Sequence, residues 1–203
     1  MWLLRRLAIV PLVVLATAFV VAKEPNPDKP VDEIKNSSVS VTEDFVQTAF
    51  GDSCTLLNGP KPWKGDFDGD GVEDIAIPAR CKNPLVDQAE YGFKAIDPYG
   101  DFYGYGNVKV TSEFGSQDPD MKGISVLVIH GAGAEAWRSE TPKAKFLLIN
   151  LPYKTLSVKK LQKGKRKVTA IYLEEQREGD GIVSAVFWDG KKYKYEPVGA
   201  NFE

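Results

Sequence analysis

Apolar positions recur with the period of strands along most of the second half of the chain. The runs at residues 124–130, 145–151, 155–161, 168–174, 182–188 and 191–198 are rich in Val, Ile, Leu and aromatic side chains and are bounded by Gly, Pro, Asn or Asp, which predicts strands. Within 182–188, Val183, Ala185 and Phe187 share one face while Val186 and Trp188 share the other, so both faces of that strand are expected to be covered. Asp189-Gly190 separates the last two runs and predicts a hairpin closed by a two-residue type I′ turn. Near the other end, Thr42-Glu43-Asp44 precedes Phe45, Val46, Ala49 and Phe50, a one-face spacing that stops at Gly51 and predicts a short capped helix. The sum is a β-rich α+β domain, mainly antiparallel, with one short helix.

The first 35 residues follow another rule. Arg5 and Arg6 precede an apolar run from residue 7 to 22 with small residues at Ala16, Ala18 and Ala22, the build of a signal peptide over 1–22. The same run, if uncleaved, is an N-terminal anchor and the only expected membrane contact. Residues 23–35 are polar, contain Pro25, Pro27 and Pro30, and read as a linker to a single domain over 36–203. Export places the domain outside the cytoplasm, secreted or periplasmic. There the only two cysteines, Cys54 and Cys81, are a candidate disulfide closing a loop of about 28 residues; two buried thiols is the alternative.

Those cysteines bracket the densest chemistry in the chain. Residues 66–74 read D-F-D-G-D-G-V-E-D, with carboxylates at positions 1, 3, 5 and 9 and glycines between them. So many acids on one tight loop repel one another unless a hard dication collects their oxygens, and calcium takes about six to eight such ligands. Asp66, Asp68, Asp70 and Asp74 are the expected side-chain ligands, with the Val72 carbonyl as a backbone ligand. Together they supply at least five oxygens, with a sixth if Asp74 is bidentate. An EF-hand needs Glu at position 12, which here is Ile77, and a helix on each side; residues 74–79 have instead the composition of a strand ended by proline.

Gly65 through Ala76 resembles the calcium loop of FG-GAP or VCBS repeats, the integrin α-chain type of propeller blade, whose pattern is close to G-D-F-N-G-D-G-x-x-D-[LI]-[AV]. The resemblance covers about 15 residues and implies the same five ligand positions, a structural Ca2+ ion, and a loop joining two strands. A propeller repeats its blade at a fixed period, and no second D-x-D-x-D-G is present: Asp97–Asp101 and Asp118–Asp120 are turn-like. The chain therefore carries at most one blade-like unit in a different setting.

Net charge is −2, which argues against a general nucleic-acid binder. The basic cluster at residues 159–167 is centred on Gly164 and reads as a solvated hairpin tip. Residues 91–106 are dense in aromatics and glycine; Tyr91, Phe93, Tyr99, Phe102, Tyr103 and Tyr105 form a candidate surface for an unidentified protein or glycan ligand, or else close over the core. Residues 125–133, S-V-L-V-I-H-G-A-G, imitate the oxyanion turn of α/β-hydrolases, yet the chain has no G-x-S-x-G and His130 is the only histidine; His130 is expected at a strand end, with Gly131 and Gly133 in a turn and Trp137 packed nearby. The expected role is that of an exported, calcium-binding, non-catalytic module, either a binding module or an envelope-associated one. The alternatives are a glycan- or envelope-acting hydrolase using carboxylates such as Glu135, Glu140 or Glu174-Glu175, and a structural subunit of a surface assembly.

Overall fold

The computed structural model describes residues 40–83, 85–105, 119, 121–175 and 181–201; the expected leader over 1–22 and the expected linker over 23–35 lie outside the described residues. Among those described, helix α1 (Glu43–Phe50) starts where the sequence places it. The Thr42 hydroxyl accepts from the Phe45 N–H at 3.2 Å, and Gly51 ends the helix at φ 86°. Its two buried residues, Val46 and Phe50, stand one turn apart and face a sheet.

That first sheet has the order β1 (Cys54–Leu56), β3 (Asp74–Cys81), β5 (Ile124–His130), β6 (Ala144–Leu148), β4 (Lys94–Ile96), with β2 (Trp63–Gly65) also paired to β3. All its pairings are antiparallel except β4 with β6. β1 and β2 share one edge of β3, pairing with its far and near ends respectively. The second sheet is an antiparallel meander, β7 (Thr155–Lys163), β8 (Arg166–Glu175), β9 (Gly181–Trp188) and β10 (Tyr193–Asn201). The fold class read from the pattern holds: strand-rich, two sheets, one compact domain.

The layers follow from side-chain alternation. Ala76, Val126, Val128, Phe146 and Leu148 on one face of the first sheet meet Leu156, Val158, Ile171, Leu173, Val186 and Tyr193 of the second. On the other face, Ile75, Ile77, Leu127, Ile129 and Leu147 pack under Val46 and Phe50 of α1, with Phe93 and Trp137. β3 and β5 are thus covered on both faces, which is why nearly every residue in them is buried and most are apolar. The outer face of the second sheet holds a smaller cluster, Leu161, Ala170, Ala185 and Phe187, over which the Lys163 stem lies with its ammonium 4.7 Å from the Phe187 ring. Cys54 and Cys81 are direct cross-strand partners and form a disulfide. No helix among the described residues is long and apolar enough to cross a membrane.

Three expectations are corrected. The last hairpin is not closed by a two-residue Asp189-Gly190 turn: Trp188 pairs with Tyr193, and the connection runs over residues 189–192. The Asp189 carboxylate accepts from the Lys191 and Lys192 N–H groups, and this side-chain bonding competes with the tighter turn. The strand expected over 145–151 ends at Leu148, because Asn150 adopts φ 56° and breaks the ladder. The single expected helix has companions: α2 (Gln88–Tyr91) ends where the aromatic stretch begins, and α3 (Pro98–Tyr103) lies within it, with β4 between them. Asp97 caps α3 by accepting from the Gly100 N–H at 2.6 Å, and Pro98 occupies the first turn, a start signal obscured by the glycines around it.

Candidate metal centre

The acidic loop is the connection of the β2–β3 hairpin, opened at Gly65, which pairs with Asp74. Its acids hold its shape. Asp66 Oδ1 accepts from the Gly69 and Asp70 N–H groups at 2.7 and 3.1 Å, and its Oδ2 accepts from Gly71 at 3.0 Å. Asp68 Oδ1 accepts from Asp70, and Asp70 Oδ1 from Val72. Such side-chain-to-backbone bonds curl the chain tightly, and Gly69 and Gly71 supply the left-handed conformations the curl requires, at φ 81° and 87°.

Asp74, the first residue of β3, closes the loop from beneath. It is fully buried, and its two oxygens accept three backbone bonds: Oδ1 from Gly131 at 2.7 Å, Oδ2 from Phe67 at 2.7 Å and from Asp68 at 3.3 Å. Gly131 must approach closely to do this. A Cβ there would overlap the Glu73 carbonyl and come within 2.7 Å of the Ala136 backbone, so a glycine is required. Burial pushes the Asp74 carboxyl up to about 7 against those hydrogen bonds, and the Asp68 charge adds to the rise. A carboxylate offers about four lone-pair sites. Three are taken, which leaves room for a single metal bond in place of the bidentate grip the loop spacing suggests.

Asp66, Asp68 and Asp74 each bring one carboxylate oxygen to within 4.8 Å of the others, a cluster able to hold a metal ion. Asp70 departs from this set. Its Oδ2 is 2.6 Å from the Lys143 ammonium, which lies equally 2.6 Å from Asp68 Oδ2. Hydrogen bonding to Lys143 holds the Asp70 carboxyl below the usual range, and the two acids in turn hold the Lys143 ammonium well above its own.

Beneath Asp68 the site reaches the core. His130, at the end of β5 as expected, places Nδ1 3.4 Å from Asp68 Oδ2 and Nε2 2.7 Å from the Tyr193 hydroxyl. Burial holds the imidazole below its ordinary pKa, outweighing the Asp68 charge, and raises the Tyr193 phenol well above its own. Both groups are therefore neutral at pH 7, and the 3.4 Å Asp68 contact is that of a neutral ring dipole with a carboxylate and not an ion pair. With the Asp68 carboxylate 3.4 Å from Nδ1, we assign the ring proton to that nitrogen, which leaves Nε2 to accept from the Tyr193 O–H. Phe146 and Trp188 enclose the ring, with centroids at 5.0 and 5.2 Å. This chain of contacts joins the loop of the first sheet to β10 of the second.

Local sequence carries no trace of these partners. Lys143 sits 75 residues from Asp68, ahead of an apolar strand where a lysine is ordinary, and Tyr193 lies 63 residues from His130. The oxyanion resemblance at residues 130–133 also dissolves, because the Gly131 N–H that such a turn would aim at a substrate is bound to Asp74. Trp137 packs nearby as expected, its Nε1 3.2 Å from Glu73 and its ring edge-on to Phe45. Of the alternative acids, Glu174 belongs to β8 of the second sheet, whereas Glu135 lies in a 3-10 turn (Gly133–Glu135) after β5 of the first.

The expected aromatic surface divides. Phe93 is buried against Phe50, 5.5 Å between centroids, because β4 is drawn into the first sheet beside β6; it is core and not surface. Tyr91 and Tyr99 are half-buried, the latter edge-on to Tyr195. Phe102, Tyr103 and Tyr105 are exposed. The basic cluster forms a hairpin, but its tip is only Gly164-Lys165, since Lys163 already pairs with Arg166. A cleft of about 380 Å³ separates this hairpin from the acidic loop, with Asp66 and Asp68 on one wall and Lys160, Arg166 and Lys167 on the other.

Comparison of the chain with family models, with characterised proteins and with solved structures found no match.

Proposed function

We propose that this is an exported, calcium-binding module without catalytic function, in which one Ca2+ ion fixes the β2–β3 loop against both sheets. The observation that carries the reading is the convergence of Asp66, Asp68 and Asp74. The donor set is all oxygen, as a hard dication requires, and it includes a fully buried carboxylate oriented by backbone hydrogen bonds. Asp66, Asp68 and Asp74 would hold the ion, with Asp70 and the Val72 carbonyl completing the FG-GAP-like set. The ion supplies charge neutralisation, and the chain does the rest. Asp74 anchors the loop to β3 and Gly131, and Asp68 ties it through His130 to Tyr193 of the second sheet. The cross-strand disulfide braces the far end of the same strand and accords with an oxidising compartment. Phe102, Tyr103 and Tyr105, outside the loop, are the surface we assign to a protein or glycan partner.

Calorimetric titration and melting curves with and without chelator test this. At a hundredfold excess over Kd the ion should stabilise the fold by about 2.7 kcal/mol, about 5–10 °C for a domain of this size. Asp70→Ala should weaken calcium binding and change the melting temperature little in chelator, since its carboxylate is exposed there. Absence of both binding heat and a melting shift in the unaltered protein would refute the reading.

A further inference from the structure

Lys143 is pinned beside the loop by its own backbone, whose N–H donates to the His130 carbonyl at 3.0 Å at the end of β5. From there its ammonium reaches two of the loop acids at 2.6 Å each. Asp70, the one expected side-chain ligand outside the convergent set, is the acid whose outer oxygen the ammonium takes while Val72 holds the inner one. We infer that Lys143 is the resident cation of the ion-free loop, and that a dication binds by displacing it and releasing Asp70 to the ion, so that Lys143 sets the affinity and the charge selectivity of the site. The inference rests on the calcium reading above.

The reasoning is electrostatic. A monovalent ion brings no more charge than the ammonium it would replace, and the ammonium is tethered, so its effective concentration at the loop exceeds that of a free salt ion. A dication brings twice the charge and a preference for several oxygens at once. Lys143 therefore excludes Na+ and K+ while yielding to Ca2+, and it lowers calcium affinity by the strength of its own contacts.

The test compares the full chain with Lys143→Met by calcium titration calorimetry, in low salt and in about 0.2 M KCl, where exposed charges are largely screened. Removing two partly exposed ion pairs should tighten calcium binding by about tenfold, make the affinity more sensitive to KCl, and lower the melting temperature in chelator. In parallel, the unaltered protein is pulse-labelled with an amine-acylating reagent and the Lys143 peptide is quantified by mass spectrometry; labelling should rise severalfold with calcium while other lysines stay constant. If the unaltered protein binds calcium but Lys143→Met binds it no tighter, or if Lys143 labelling ignores calcium, the inference falls and the calcium reading stands. If neither protein binds calcium, both fall. Should the Met variant bind and the unaltered protein not, Lys143 blocks the site instead of yielding to calcium, and both the inference and the calcium reading of the native chain fail. A variant too unstable to titrate leaves the labelling result to decide.

Discussion

Replacing Tyr193 by Phe removes one oxygen atom from the centre of the domain, and the structure says what that atom does. Tyr193 is buried, 1% exposed, and its hydroxyl is 2.7 Å from Nε2 of an equally buried His130. With the hydroxyl gone, Nε2 has no partner if the ring keeps its proton on Nδ1. Moving the proton to Nε2 gives no relief, because that N–H would then face no acceptor and a bare Nδ1 would face the Asp68 carboxylate 3.4 Å away. Either tautomer leaves a polar atom buried and unsatisfied, which costs about 1–3 kcal/mol, or about 2–12 °C in melting temperature. The loss should be read by urea denaturation with chelator and with calcium, and should be present in both, since the bond lies beneath the loop and not at the ion. Tyr105→Phe, at a residue 78% exposed, is the control and should change nothing measurable. Because the chain has a single histidine, a long-range proton–nitrogen NMR spectrum reports its tautomer without assignment. The native protein should show the proton on Nδ1, and Tyr193→Phe should lose that pure state. A native spectrum with the proton on Nε2, or a stability change well below the about 1 kcal/mol at the low end of that range, would refute the reasoning.

Two further outcomes are expected from the same geometry. Reduction, or Cys54→Ser with Cys81→Ser, should destabilise the domain by about 3–4 kcal/mol, the loop-closure value for a sequence separation of 27; intact mass after alkylation should show no accessible thiol until reductant is added. Gly131→Ala should cost about 2 kcal/mol or more, because the new methyl meets the backbone of residues 73, 136 and 137, which cannot swing aside as a side chain would. It should also weaken calcium binding by shifting the N–H that orients Asp74, which paired titration and denaturation would detect.

Features decided by neighbouring residues were legible in the chain itself. Thr42 and Gly51 bound α1 through bonds to residues three or four positions away. The strands announced themselves by alternation, and the acidic loop by the spacing of its own acids, whose carboxylates bond within the same few residues. The two cysteines were the chain's only candidates for a bridge, but whether they meet depended on β1 pairing with β3 in one register. The partners of the site lay beyond such reading. That Asp74 is met by Gly131, Asp70 by Lys143 and His130 by Tyr193 depends on β3 lying against β5 and on the second sheet packing over the first. Tertiary structure also sorted Phe93 into the core and Phe102 onto the surface, though both lie in one aromatic run, because β4 enters the sheet and α3 packs against β10. The physical reason is range. Periodicity and capping act over a few residues, whereas a buried charge or hydroxyl takes whichever partner the folded layers bring to it, and that choice is made by the energy of burying both together.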